Sequence, residues 1–213
     1  MIFVTGTGTE VGKTVVAAAI ANTAAASGQR VTVFKPCVTG MEEEVEPDHA
    51  LLRRAAGSDQ SDEEIAPYRY GPPASPHLAA AMVGEEIDRE RLLEAARAAA
   101  AGGDFLVCEG VGGLLVPLAP GYLVRDLAVD LGYPLVVAAS PGLGTINHTL
   151  LTVESARAAG LDVASVVLTP WPEEPTEVEQ SNRETIATLA GIEVQTLPPL
   201  DLNDPSSWPA LSL

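Results

Sequence analysis

Lysine, cysteine and aromatic residues are scarce in this sequence, and these shortages limit the structures and functions that it can have. Aromatic residues make up 4% of the 213 residues, and two cysteines, Cys37 and Cys108, are too few to predict a disulfide framework. We expect reduced thiols and assign neither cysteine a role. No apolar run reaches the length of a membrane span, and no signal segment precedes the first apolar stretch. The sequence therefore predicts a cytoplasmic protein without membrane contact.

The shortage of basic residues has the clearest consequence. Arginine and lysine together number 12 against 29 acidic residues, which gives a net charge of -17. A chain this acidic repels phosphate backbones, so nucleic acid is not an expected partner. Lys13 and Lys35 are the only lysines. A lysine at the end of a predicted strand is therefore a candidate for function.

Short apolar segments alternate with alanine-rich segments along the whole chain, and 46% of the residues are hydrophobic. The apolar segments predict strands near Ile2–Thr5, Val31–Lys35, Phe105–Cys108, Leu135–Ala139, Val163–Thr169 and Glu193–Leu197. The segments between them predict helices near Gly12–Ser27, Asp48–Ala56, Arg89–Ala101, Val124–Leu131, Gly144–Ala159 and Thr176–Ala190. This order predicts a single α/β domain over residues 1–213, a doubly wound three-layer sandwich with a mainly parallel sheet. The segment after Leu200 gives no firm helix signal.

The first strand leads into a glycine-rich turn that ends in Gly12-Lys13-Thr14 and opens a helix. This is the strand, loop and helix order of a phosphate-binding P-loop, although the turn is one residue longer than the usual spacing. Backbone N–H groups and the helix dipole converge on one point there, Lys13 adds a cation, and the Thr14 hydroxyl suits Mg²⁺. The alternative is a glycine-rich turn that caps a helix, with Lys13 in solvent. We favour a nucleoside triphosphate site of P-loop NTPase type.

Residues at the carboxyl ends of parallel strands converge on the same edge of the sheet as the P-loop. Lys35 ends the second predicted strand and could neutralise a transferring phosphoryl group, or it is an exposed strand-end lysine. Glu109 ends the third strand before Gly110, like the acidic end of a Walker B strand, and suits Mg²⁺. Asp48 opens a helix, where metal binding and N-capping remain alternatives.

The turn from Pro141 to His148 follows the fourth predicted strand and also opens a helix. Its free N–H groups make it a second candidate anion site, with a plain strand-to-helix connection as the alternative. The three histidines have no ligand spacing, and we assign them no chemistry.

Several of these segments together closely resemble the dethiobiotin synthetase family. They are Thr5–Thr14, Lys35-Pro36 with Thr39-Gly40, Glu109–Gly113 and Leu143–His148, in this order over nearly the whole chain. The resemblance implies ATP-dependent ring closure in biotin synthesis. In that reaction 7,8-diaminononanoate takes up CO₂ as a carbamate, the γ-phosphoryl group of ATP activates the carbamate as a carbamic-phosphoric anhydride, and the second amine attacks it. Dethiobiotin, ADP and phosphate are released.

The resemblance also implies a role for each matching residue. Lys13 and Lys35 would be catalytic, while Thr14, Asp48 and Glu109 would hold Mg²⁺. Nucleotide contacts would come from Glu10, Val11, Gly12, Lys13, Thr14, Val15, Asp48, Glu109, Gly110, Val111, Gly112, Thr169, Pro170, Pro198, Pro199 and Leu200. Thr9 and Thr39 would position the carbamate and the diamine. The substrate carboxylate would meet Gly144, Thr145, Ile146 and Asn147 of the neighbouring subunit, which implies a homodimer with shared active sites.

One segment departs from the family pattern. Family members commonly carry an asparagine after the fifth strand to read adenine, whereas this chain has Thr169-Pro170 there. Proline donates no N–H and the side-chain amide is missing, so CTP or another triphosphate is an alternative to ATP.

Two other protein classes share this fold. A partitioning ATPase would carry a signature lysine in the P-loop, at the place where this chain has Gly8. An amidotransferase-type synthetase would normally continue into a glutaminase domain, whereas this sequence ends at Leu213. Both features favour the dethiobiotin synthetase interpretation.

Overall fold

The computed structural model describes residues 1–41 and 46–211. Within them the strands are β1 (Ile2–Gly6), β2 (Val31–Phe34), β3 (Phe105–Gly113), β4 (Pro117–Ala119), β5 (Tyr122–Leu123), β6 (Leu135–Ala139), β7 (Val163–Leu168) and β8 (Glu193–Thr196). The helices are α1 (Lys13–Ala26), α2 (Asp48–Ala56), α3 (Asp62–Ile65), α4 (Pro76–Met82), α5 (Arg89–Gly102), α6 (Val124–Leu131), α7 (Thr145–Ala158) and α8 (Glu177–Ala190). No helix among the described residues is long and apolar enough to cross a bilayer.

The main sheet has six strands in the order β2-β3-β1-β6-β7-β8, and every neighbouring pair is parallel. The predicted three-layer α/β fold is confirmed. The strand that leads into the P-loop, β1, lies between β3 and β6. Val4 of β1 is directly opposite Glu109 of β3, so the register brings Glu109 beside the P-loop.

Alternation along the strands builds two apolar cores, one on each face of the sheet. Ile2 and Val4 belong to the core that includes α1 and α2, whereas Phe3 belongs to the core that includes α5, α6, α7 and α8. Successive strand residues point to opposite faces, and both faces are covered, which is why the strands are apolar throughout. The helix layers therefore leave the strand ends free for ligands.

Four short elements are additional to those predicted. Helix α3 begins with a capping box between Ser61 and Glu64, and α4 begins at Pro76 after Ser75. β4 and β5 form a separate antiparallel pair after the end of β3. These elements were missed because helices and strands of this length carry too few residues to show a hydrophobic period.

The segment of residues 200–211, here called the C-terminal segment, folds back over α1. Trp208 and Leu211 are buried in the same core as α1 and α2. Asn22 Nδ2 donates to the Pro205 carbonyl oxygen at 2.9 Å, and the Leu211 N–H donates to Thr23 Oγ1 at 3.2 Å. The segment contains a 3₁₀ turn over Pro205–Ser207. The sequence shows no firm helix signal after Leu200, and the described residues of this segment contain no α-helix. Residues 212–213 lie outside the described part of the chain.

Candidate active site

A cleft of about 1010 Å³ opens at the carboxyl ends of the central strands. The P-loop, the segment after β2, the start of α2 and the end of β3 line it. Each element delivers its functional residue because parallel strands all finish at the same edge of the sheet. The cleft therefore combines segments that are far apart in the sequence.

The P-loop backbone is held in conformations that few side chains adopt. Gly12 has a φ of 82°, and Glu10 has a φ of 58° although it is not glycine. A side chain at Gly6 would place its Cβ 2.7 Å from Lys13 Cγ, so glycine is required for the loop to close. A non-glycine residue in the left-handed region is a strained conformation of the kind that collects at functional sites. Lys13 Nζ donates to the Gly8 carbonyl oxygen at 2.8 Å.

Lys35 lies immediately after β2 and is 3% exposed, so the alternative of an exposed strand-end lysine is wrong. Its Nζ donates to Glu109 Oε1 at 2.7 Å and to Asp48 Oδ2. Asp48 is the first residue of α2, Pro47 occupies the cap position, and no side-chain cap bond forms. The capping alternative for Asp48 is therefore wrong, and its carboxylate instead faces Lys35.

The charges of the site are strongly coupled. Burial disfavours the charged form of Lys35, but Glu109 and Asp48 outweigh it and raise the pKa of the ammonium. Burial raises the pKa of Glu109 in spite of Lys35, because that side chain is fully enclosed. Asp48 keeps contact with solvent, and Lys35 outweighs its burial and lowers its pKa. Burial also lowers the pKa of Lys13.

The donor set at this edge fits Mg²⁺. Thr14 Oγ1 donates to Glu109 Oε1 at 2.9 Å, and Asp48 lies on the other side of Lys35. Glu109 Oε2 is buried and has no hydrogen-bond partner among the residues that the structure describes, so it is an acceptor that a cation can use. No group of three or more His, Cys, Asp or Glu side chains that could hold a metal occurs among the described residues. Two carboxylates and a hydroxyl suit Mg²⁺, which commonly completes its octahedron with water and phosphate oxygens.

Seven of the remaining predicted residues also line the cleft. Thr9, Glu10, Gly12, Val15, Thr39, Val111 and Gly112 do so. Gly110 lies inside the protein instead, where a Cβ would come within 2.9 Å of Val124 Cγ1 and 3.2 Å of Phe3 Cε1. Val11 packs at the base of the P-loop, with its Cγ2 2.7 Å from the position of a Cβ at Gly6.

The structure does not bring the predicted carboxylate site into this cleft. Gly144 caps α7 with a φ of 92°, and Thr145, Ile146 and Asn147 form its first turn. These four residues do not line the cleft, although His148 in the next turn lines a second cavity of about 460 Å³ together with Thr9 and Leu151. The helix start is thus near the P-loop but outside the cleft of its own chain.

The predicted base-contacting residues are only partly near the nucleotide cleft. A Cβ at Gly12 would lie 2.5 Å from Thr169 Cγ2, so Thr169 packs directly against the P-loop. Pro170, Pro198 and Pro199 are exposed, and Leu200 packs against the core beneath α1. None of these residues lines the cleft.

Sequence reasoning missed several lining residues. Leu202 and Glu46 border the cleft near α2, and Cys37 and Pro76 border it on the side of β2 and α4. The prolines from Pro72 to Pro76 were a visible loop signal close to the predicted strand edge. No local signal marks Leu202, since its position depends on how the C-terminal segment packs.

Two relatives of this chain carry the same name. A protein from Rhodococcus erythropolis is 40% identical over 201 residues, which cover 93% of this chain and 88% of the relative. A protein from Anaeromyxobacter dehalogenans is 46% identical over 167 residues, covering 78% of this chain and 75% of the relative. Both are named ATP-dependent dethiobiotin synthetase BioD.

Two further comparisons concern the fold. A family model described as an AAA domain matches residues 1–206. A chain of the MinC:MinD cell division protein complex from Aquifex aeolicus superposes with a TM-score of 0.58 at 14% identity, covering 94% of this chain and 81% of that one. A likeness at that identity shows the fold alone. Since relatives at 40% and 46% identity cover 93% and 78% of this chain, the chain belongs to the ATP-dependent dethiobiotin synthetase family.

Proposed function

We propose that this chain catalyses the ATP-dependent closure of 7,8-diaminononanoate and CO₂ to dethiobiotin, with release of ADP and phosphate. The family supports the reaction, and one structural observation carries it. A buried ammonium, Lys35 Nζ, stands beside the P-loop between two carboxylates, in the same cleft as Lys13. A site that transfers a phosphoryl group to an anion needs such fixed positive charge.

The carbamate is an anion and a poor electrophile, so it must be phosphorylated before the second amine can attack it. For that transfer the carbamate oxygen must be held in line with the γ-phosphate. In our proposal Lys13 binds the outer phosphates, and Lys35 offsets the negative charge that develops between carbamate and phosphate. Thr9 and Thr39 line the cleft and have hydroxyl groups that can hydrogen-bond the carbamate and the diamine. The buried position of Lys35 keeps water from screening its charge.

We propose Thr14, Asp48 and Glu109 as the residues that hold Mg²⁺. Bound there, the ion would neutralise the β- and γ-phosphate oxygens and hold them in a reactive geometry. Thr14 and Glu109 already share a hydrogen bond, so their oxygens are positioned relative to each other before any ligand binds. Glu109 Oε2 is left free for this purpose.

We also propose that the protein uses ATP with weak discrimination of the base. Pro170 donates no N–H, and Thr169 and Pro170, with no asparagine, come directly after β7. A titration in which CTP competes with ATP for the enzyme tests this proposal. Comparable affinities support it, and a strong preference for ATP over CTP contradicts it.

We propose a homodimer in which α7 of one subunit completes the substrate site of the other. The start of α7 lies outside its own cleft, and the neighbouring surface exposes Leu143, Leu151 and Leu115 at 97%, 56% and 54%. Sedimentation of Leu151→Asp should then show a monomer, whereas Leu189→Asp on α8, at an apolar residue that is 64% exposed, should leave the dimer intact. A Leu151→Asp variant that remains dimeric contradicts this interface.

Product mass spectrometry tests the reaction itself. Protein, diaminononanoate, bicarbonate, Mg²⁺ and ATP should give dethiobiotin, and omission of any one component should remove the product. Phosphate release must depend on the diamine. If ATP is hydrolysed equally well without the diamine and no dethiobiotin forms, the protein is a nucleotide switch and the proposed function is wrong.

A further inference from the structure

The C-terminal segment forms one wall of the nucleotide cleft. Its residue Leu202 lines the cleft and packs against the core that contains α1 and α2. Trp208 holds the far part of the segment: it is 7% exposed, and its Nε1 donates to the Asp201 carbonyl oxygen at 2.7 Å. The wall is therefore anchored at one end by burial, and Leu202 lies at its other, cleft-facing end.

Arg54 fixes the cleft-facing end. Its Nη2 donates to the Leu202 carbonyl oxygen at 2.8 Å. The same guanidinium contacts both carboxylate oxygens of Glu46, through Nη1 to Oε1 and through Nη2 to Oε2 at 3.2 Å. Glu46 also lines the cleft, so without Arg54 an unpaired carboxylate would face a polyanion. Arg54 thus fixes the position of Leu202 and neutralises the Glu46 carboxylate at the edge of the cleft.

The place of this wall identifies what it contacts. The phosphates belong at the N–H groups of the P-loop and at Lys13, and the reacting end of the triphosphate belongs at Lys35 and Glu109. Leu202 lines the same cleft with an apolar side chain that can pair with neither phosphate nor metal. Leu202 and Val15, which follows the phosphate-binding residues, give the cleft an apolar boundary. An apolar boundary suits a ribose and a base, which are the remaining parts of a nucleotide.

We infer that Leu202 is the wall against which the nucleoside part of the triphosphate packs, and that Arg54 is the positioning residue that sets this wall. The inference deepens the proposed function and rests on it for the identity of the nucleotide. Arg54 does not line the cleft itself, so its loss should act through Leu202, weaken nucleotide binding and leave the chemical step unchanged.

The matched control is Arg53, the preceding residue of α2. The side chains of Arg53 and Arg54 are 39% and 38% exposed, and each contacts a carboxylate, but Arg53 contacts Asp62 and does not reach the C-terminal segment. Arg54→Met and Arg53→Met therefore remove the same charge and keep a similar aliphatic stem. They differ in the contact with Leu202.

The test measures KM for ATP, kcat, and the dissociation constant of ADP by calorimetry. Arg54→Met should raise both KM and the ADP constant by about threefold to tenfold, as expected when a wall residue must be ordered on binding, with kcat within about twofold. Arg53→Met should match the wild-type protein. Arg54→Lys, which keeps the charge and one donor, should recover part of the loss.

Three outcomes would overturn the inference: equal constants for Arg54→Met and Arg53→Met, a fall in kcat without a rise in KM, or full recovery in Glu46→Gln/Arg54→Met. The last would mean that the uncovered Glu46 carboxylate, and not the wall, explains the effect. The ADP measurement needs no turnover. A wild-type protein that binds ADP but makes no dethiobiotin would contradict the proposed function alone.

Discussion

Replacing Lys35 by methionine should remove both the activity and part of the stability of this protein. The ammonium is the hydrogen-bond donor to Glu109 Oε1 at 2.7 Å, and the Glu109 side chain has no exposure to solvent. Removing one partner of a buried ion pair leaves an uncompensated charge and costs about 3–5 kcal/mol of unfolding free energy. Asp48 is less affected, since its side chain is 34% exposed.

The loss of stability should depend on pH in a defined direction. Burial already raises the pKa of Glu109, and without the ammonium it rises further. An unfolded chain ionises such a carboxyl near pH ~4.3. Between that pH and the folded-state pKa, the native variant binds more protons than the unfolded variant. The free energy of unfolding of Lys35→Met therefore falls as pH rises through this window, by up to about 1.4 kcal/mol per pH unit, and is largest in acid.

Urea unfolding at several pH values, with EDTA present, measures this. The control is Lys35→Met/Glu109→Gln, in which the buried charge is also removed, and it should regain most of the lost stability and lose the extra pH dependence. The difference between Lys35→Met and wild type should shrink towards pH 5. A variant that is as stable as wild type at pH 7.5, or whose difference from wild type does not change with pH, would refute the paired-charge description of the site.

Three further predictions concern other residues of the cleft. Thr14→Val should weaken Mn²⁺ binding, measured by electron paramagnetic resonance, by about 10- to 100-fold, the range typical of damage to a metal site, and Thr14→Ser should not. Gly12→Ala should lose about 1–3 kcal/mol from the positive φ, and should also lose ADP binding, because the new Cβ would lie 2.5 Å from Thr169 Cγ2. Gly28→Ala, with a φ of 87° and no neighbour within 4 Å, should show the strain alone. Burial raises the pKa of the Cys37 thiol to about 12, so intact-mass measurement should find no alkylation by iodoacetamide at pH 8 before unfolding.

The fold could be predicted because its signals are local. Strands buried on both faces are apolar throughout, and glycines such as Gly191 end the long helices. The order of strands and helices then leaves few topologies open. The pair β4 and β5 and the short helices α3 and α4 could not be predicted, because elements of a few residues depend on tertiary contacts more than on pattern.

The candidate site also has residues that the sequence could predict and residues that it could not. Lys13, Lys35 and Glu109 were found because motif and strand-end position both point to one sheet edge. Leu202 was not, because the chain returns to the cleft only through the burial of Trp208 on the core beneath α1. The sequence also left the cap and metal roles of Asp48 open, and the structure decides against the cap because Pro47 occupies the cap position and the Asp48 carboxylate faces Lys35.

Both lysines of this chain are enclosed in the cleft, at 8% and 3% exposure, while Met1 at the amino terminus is 47% exposed. An acylating reagent that attacks primary amines thus finds no lysine side chain on the outside of the folded chain. A lysine adduct must come from a reagent small enough to enter the cleft. The mass of the labelled protein becomes a direct reporter of whether that cleft is filled.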